Sequence, residues 1–131
     1  MEMLKLKTSS RIEFLEITSD VRDAIARSGV NDGLAVVYVP HTTAGVTINE
    51  AADPAVVQDI NAKLSNLVPH HENYKHTEGN ADAHIKASLM GSSVQVIILR
   101  GAPVLGTWQG IFFCEFDGPR TRQAYIKIIP E

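Results

Sequence analysis

Apolar and charged positions come close to alternating through Met3–Lys7 and again through Ile12–Ile17, with Thr8-Ser9-Ser10-Arg11 between them. A period of two reads as strand, and two such runs joined by a polar tetrad predict a hairpin. The period then changes. Thr18-Ser19-Asp20 offers capping oxygens, and Val21, Ala24 and Ile25 follow at helical spacing until Gly29, which predicts one short helix. Leu34–Val39 and Gly45–Asn49 return to β-branched strand character on either side of Pro40-His41-Thr42-Thr43-Ala44.

Asp53-Pro54 pairs a capping carboxylate with a proline suited to the first helical turn. Val56, Val57, Ile60, Leu64 and Leu67 then mark one apolar face. Periodicity lapses from Val68 to Asn80, a polar stretch with three of the five histidines and the composition of a functional loop. A third helix is predicted over about Asp82–Met90, capped by Asn80 or Asp82 and ended by Gly91. Strands at Ser93–Leu99, through Leu105, at Thr107–Phe116 and at Gln123–Ile129 complete the chain, with the turn Asp117-Gly118-Pro119-Arg120 before the last. Short turns between strands imply a mainly antiparallel α+β domain, a sheet or sandwich with two or three helices on one side.

Composition narrows the class. At 131 residues, 44% hydrophobic and 21% charged, the chain can bury one self-sufficient core, so residues 1–131 read as one domain. A net charge of -3 opposes wholesale binding to nucleic acid or an anionic membrane, since both need a clustered basic excess. Apolar runs such as Val94–Leu99 are far shorter than the roughly 20 residues of a membrane-spanning helix. The first residues hold no apolar signal core, and the protein reads as cytoplasmic. The single cysteine, Cys114, sits in the apolar run Ile111–Cys114 and reads as a small buried hydrophobe.

Two constellations carry chemistry. His76-Thr77-Glu78-Gly79-Asn80-Ala81-Asp82-Ala83-His84 places two imidazoles and two carboxylates in nine positions, groups suited to a divalent metal or to acid-base work. Its spacing matches no zinc signature, and Asp82 reads equally well as a helix cap. With His41 and Glu50 from other segments, a polar metal or acid-base site is expected. Arg120 and Arg122 leave a tight turn on alternate positions, where a strand would aim both guanidinium groups at one oxyanion; charge protection of an edge strand is the alternative. Asn80, Lys86, Thr42 and Thr43 could share phosphate binding, although Thr42-Thr43-Ala44-Gly45 is equally a turn. Trp108 reads as a core or subunit-interface residue rather than a ligand stacker.

The blocks Pro40–Glu50, His76–Ser88, Leu105–Phe112 and Phe116–Arg120 together resemble the YjbQ (UPF0047) family, also called secondary thiamine-phosphate synthases, along nearly the whole chain. The resemblance implies a compact α+β fold assembled as a homotrimer with polar sites near subunit boundaries. It implies a transferase activity joining hydroxymethylpyrimidine diphosphate to thiazole phosphate, yielding thiamine phosphate and pyrophosphate. On that reading His41, His76 and His84 hold a divalent metal, zinc or magnesium. Glu50 or Asp82 supplies a further ligand or orients an imidazole, and Arg120, Arg122 and Lys86 bind phosphate groups. The competing expectations are metal-dependent hydrolysis or transfer on another small phosphorylated metabolite, and a non-catalytic trimeric protein that captures a small anion.

Overall fold

Alternation marks the strands but not their partners. The structure, a computed structural model describing residues 1–131, divides eight strands between two antiparallel sheets. The larger contains β1 (Glu2–Lys7), β8 (Thr121–Pro130), β3 (Gly33–Tyr38), β5 (Ser93–Leu99) and β6 (Ala102–Pro103), in that order. The smaller contains β2 (Glu13–Glu16), β7 (Gln109–Glu115) and β4 (Ala44–Glu50). Three helices complete the fold: α1 (Thr18–Ser28), α2 (Pro54–Leu67) and α3 (Ala81–Met90). The domain is therefore α+β and mainly antiparallel, as expected.

The expected N-terminal hairpin does not form: β1 pairs with β8 and β2 with β7, so consecutive strands lie in different sheets. A period of two specifies which face of a strand is buried and leaves its neighbour open. The chain changes sheet six times, and two of these crossings lie between β1 and β2 and between β7 and β8. The two crossings bond to each other, Thr8 N–H donating to the Arg120 carbonyl and Gly118 N–H to the Arg11 carbonyl, both at 2.9 Å.

The facing sides of the sheets enclose the main core, in which Ala35, Val37, Val96, Ile98 and Ile126 oppose Val46, Ile111 and Phe113. On the other face of β7, Phe112, Cys114 and Phe116 form a second cluster with Ala83 and Ala87 of α3, and Val57 and Leu64 of α2 pack against it. β7 is consequently covered on both sides, which explains its unbroken apolar run. Cys114 is buried there as a small hydrophobe, and burial pushes its thiol far above the ordinary range.

α1 packs on strands of both sheets through Val21, Ala24 and Ile25. Its predicted cap differs: the capping position is Ile17, and the Thr18 hydroxyl instead accepts the Ile111 N–H at 2.9 Å, a tertiary bond that outcompetes the local one. α2 starts as expected, the Asp53 carboxylate accepting the Ala55 N–H at 2.9 Å before Pro54. α3 begins at Asn80, but neither Asn80 nor Asp82 caps it through a side chain, because both are drawn into contacts outside the helix. No helix is long and apolar enough to cross a membrane.

The end of α3 is fastened to β4. Val46 N–H donates to the Gly91 carbonyl at 3.1 Å, and a Cβ on Gly45 would lie 2.7 Å from that carbonyl oxygen and 3.2 Å from Met90 Cβ. Gly45 therefore serves close approach of helix and strand. Gly45→Ala should destabilise the protein by about 1–3 kcal/mol through overpacking, measured by urea unfolding; unchanged stability would show that α3 can retreat from β4 without cost.

Candidate functional site

The junction of α3 with β4 forms one wall of a cleft of about 510 Å³ lined by His41, Thr42, His84, Ser88 and Ser92, with Ala44, Ala87 and Gly91 as its floor. His84 also borders a second cavity of about 310 Å³, lined by Tyr74, Lys75, His76, Ala81 and Ile85. His84 is thus shared by two adjoining cavities of different character, one rich in hydroxyls and the other walled by Tyr74 and Ile85. Ser88 lies one helical turn after His84, so the i, i+4 spacing that puts both on one face was readable from the sequence. Ser92 and Tyr74 carried no such signal.

Three of the expected residues meet here: His41, Thr42 and His84. His76 joins them across the second cavity, its ring perpendicular to that of His84 with centroids 5.1 Å apart. Its Nε2 also lies 3.9 Å from the Glu78 carboxylate. His41 stands apart from this imidazole pair, with Nε2 accepting the Gln123 backbone N–H at 2.9 Å. The expected convergence of His41, His76 and His84 on one point is not formed, and no three His, Cys, Asp or Glu side chains are grouped to hold a metal ion.

The expected charged residues lie elsewhere. Asp82 is fully buried, accepts two 2.9 Å hydrogen bonds from Arg11 and pairs with the equally buried Lys86 at 3.1 Å. Burial raises the Asp82 carboxyl, but hydrogen bonds from Arg11 and Lys86 outweigh it and hold the group below its ordinary range. Both residues face the protein interior, fixing α3 to the β1–β2 crossing. Glu50 accepts the Asp53 N–H at 3.2 Å at the start of α2, away from the cleft.

The two arginines do not share an oxyanion. β8 begins at Thr121, so Arg122 points inward with Ala124 and Ile126, whereas Arg120 precedes the strand and stays about half-exposed against Asp117 at 2.9 Å. Asn80 donates to the same Asp117 carboxylate at 2.8 Å. Arg122 is paired with buried Glu115, its Nε donating to Oε1 at 2.8 Å. Its Nη2 donates to Thr43 Oγ1 at 2.8 Å, and Thr8 donates to Glu115 at 2.8 Å. Thr43 is therefore a buried support for the loop carrying His41 and Thr42. Glu115 escaped sequence reasoning, although an acid inside Ile111-Phe112-Phe113-Cys114-Glu115-Phe116 signals a buried partner.

The two-sheet domain with a histidine-lined cleft between α3 and β4 defines a class of small α+β proteins with several solved structures. The YjbQ-like UPF0047 pattern matches residues 2–131, and the chain belongs to that family. It is 59% identical to a UPF0047 protein of Methanocaldococcus jannaschii over 95% of this chain and 91% of that protein. Identity to the UPF0047 protein YugU of Bacillus subtilis is 48%, covering 98% of each chain. A Clostridium acetobutylicum protein of the family superposes with a TM-score of 0.97 at 57% identity over 98% and 100% of the two chains. A Sulfolobus solfataricus relative described as a protein of unknown function superposes with a TM-score of 0.95 at 31% identity, over 99% and 96% of the chains.

The buried carboxylates make stability sensitive to acid. Burial raises the Glu115 carboxyl, but bonds from Arg122, Thr8 and the Asp117 N–H overcome that and leave it below its ordinary 4.5. A depressed folded-state pKa contributes stability that is complete above the unfolded value and is lost as pH falls through the folded one. The free energy of unfolding should therefore fall as the pH drops through and below the ordinary carboxylate range. Glu115→Gln should cost about 3–5 kcal/mol at neutral pH by leaving Arg122 unpaired, and should lose less on acidification than the unaltered protein. An equal acid loss, measured by urea unfolding at neutral and acid pH, would assign the sensitivity to other carboxylates.

Proposed function

We propose that the protein is a metal-assisted transferase acting on small phosphorylated metabolites, with secondary thiamine-phosphate synthase activity. The observation that carries this reading is the sharing of His84 by two adjoining cavities, since a condensation needs two substrates held with their reacting atoms in contact. The hydroxyl-rich cleft suits a phosphate group, and the cavity beside Tyr74 suits a flat heterocycle. The family resemblance supplies the two precursors.

In that reaction a bond forms from the thiazole nitrogen to the pyrimidine methylene carbon as the carbon–oxygen bond to diphosphate breaks, and the electron pair leaves with pyrophosphate. Neutralising the departing charge matters more than a nucleophilic side chain. Asp82, Lys86, Glu115 and Arg122 are committed to ion pairs, and no carboxylate or amine lines the larger cleft. The adjacent imidazoles of His76 and His84 would hold a divalent cation. Such an ion, zinc or magnesium, would supply charge neutralisation. Thr42, Ser88 and Ser92 orient the phosphate. The same lack of a carboxylate or amine in the cleft supports a second reading, in which this turnover is incidental to transfer or hydrolysis on another phosphorylated metabolite.

The test is formation of thiamine phosphate from the two purified precursors, with and without added divalent metal. His84→Ala should lower turnover by about 10²-fold or more; a variant as active as the parent would remove His84 from the site and sink the proposal. Slow turnover that still depends on His84 would favour the second reading.

We also propose that the chain assembles as a homotrimer through the outer face of the larger sheet. Met3, Tyr38, Ile97, Leu99 and Ile129 all lie on that face at 44–60% exposure, a shared apolar face of the kind that marks interaction sites. Ile97→Lys should reduce the mass measured by analytical ultracentrifugation to that of one chain; an unaltered trimer would place the contact elsewhere.

A further inference from the structure

His41 is bonded through one ring nitrogen only. The Gln123 N–H occupies Nε2 at 2.9 Å, no protein group bonds Nδ1, and the ring borders the cleft beside Thr42. A nitrogen that accepts a hydrogen bond carries no proton, so in the neutral ring the hydrogen sits on Nδ1. Partial burial and then the neighbouring Arg122 guanidinium favour that neutral form, against a smaller opposing pull from Glu115. In this tautomer Nδ1 has no lone pair for a metal, and Nε2 has already used its own.

The mounting of the ring is rigid. It meets Phe113 edge-on, at 83° with centroids 6.5 Å apart, and Arg122 holds the following Thr43 through its hydroxyl. β8 thus contributes both the backbone amide of Gln123 and the side chain of Arg122 to one loop. A fixed, uncharged N–H at a cleft wall suits an oxyanion, because it donates without competing for the cation.

We infer that His41 is a hydrogen-bond donor through Nδ1–H to a phosphate or diphosphate oxygen of the substrate, held in that tautomer by the backbone amide of Gln123, and that it is not a metal ligand. The assignment deepens the phosphoryl-substrate reading of the same cleft and divides its histidines by role. His76 and His84 serve the cation, whereas His41 serves the anion.

Long-range proton–nitrogen correlation spectra of the uniformly labelled protein near neutral pH should show Nδ1 protonated and Nε2 unprotonated in His41. Inorganic pyrophosphate is the probe for binding. In His41→Asn the side-chain amide can place an N–H near the former Nδ1, whereas in His41→Gln it reaches toward the former Nε2. Pyrophosphate affinity should stay within about threefold of the parent in His41→Asn and fall by about tenfold or more in His41→Gln and His41→Ala, the range of a lost hydrogen bond to a charged group. Zinc bound per chain should be the same in all three variants.

A proton on Nε2, equal affinities in the Asn and Gln variants, or zinc lost with His41→Ala would each overturn the assignment. So would failure of the unaltered chain to bind pyrophosphate. None of these readouts requires turnover: the expected spectra and affinity order alongside zero synthase activity would retire the synthase reaction and leave the role of His41 in place.

Discussion

The buried pair of Glu115 and Arg122 connects the parts of the structure that chemistry needs to keep in register. Glu115 ends the central strand of the smaller sheet and Arg122 lies near the start of β8 in the larger one, so the pair clasps the sheets where the apolar core stops. Thr8 bonds to the carboxylate from the β1 end, and Thr43 bonds to the guanidinium from the loop before β4. Such a pair contributes modest net stability once desolvation is counted, whereas loss of either partner strands a buried charge. Its main effect is therefore positional: every arrangement that displaces the loop at His41 must also break the clasp.

The triad of partly exposed Arg11 with buried Asp82 and Lys86 does the same for the opposite wall. It ties α3 to the crossing between β1 and β2, while the bond from Val46 to Gly91 ties the end of the helix to β4. His84 stands between these two attachments on a helix with little freedom to slide. The cleft is consequently bounded by elements that are each fixed at two points. Precision of this kind is what positioning two small substrates against each other demands.

Local elements were legible where local physics decides them. Asp53-Pro54 announced α2, Gly29 ended α1, and β-branched runs marked the strands of both sheets. Partnering was not legible, because alternation in Met3–Lys7 and Ile12–Ile17 is equally satisfied by a hairpin or by two sheets. Residue type also misled where a charge can serve either water or the interior. Lys86, Asp82 and Arg122 have the chemistry of a phosphate site, yet each is committed to an interior partner: Arg11 and Lys86 to Asp82, and Glu115 with Thr43 to Arg122. Histidines were the better guide, since His41, His76 and His84 all border the cavities.

The helix layer bears on how the cavity beside Tyr74 could be completed. α2 has no fully buried residue despite its apolar face: Val57 and Leu64 touch the second cluster, while Leu67 is 64% exposed. Ile85 and Leu89 of α3 are likewise exposed, and Ile85 borders the cavity beside His76. A helix held by half its apolar surface gains little from tertiary packing, and propensity alone seldom stabilises fourteen residues in water. The asymmetry between a cleft wall fixed by two ion-pair networks and an outer helix with spare apolar surface has a functional reading. The hydroxyl-rich cleft is walled by elements fixed through those ion pairs, whereas the cavity beside Tyr74 borders the part of the fold with most to gain from further covering.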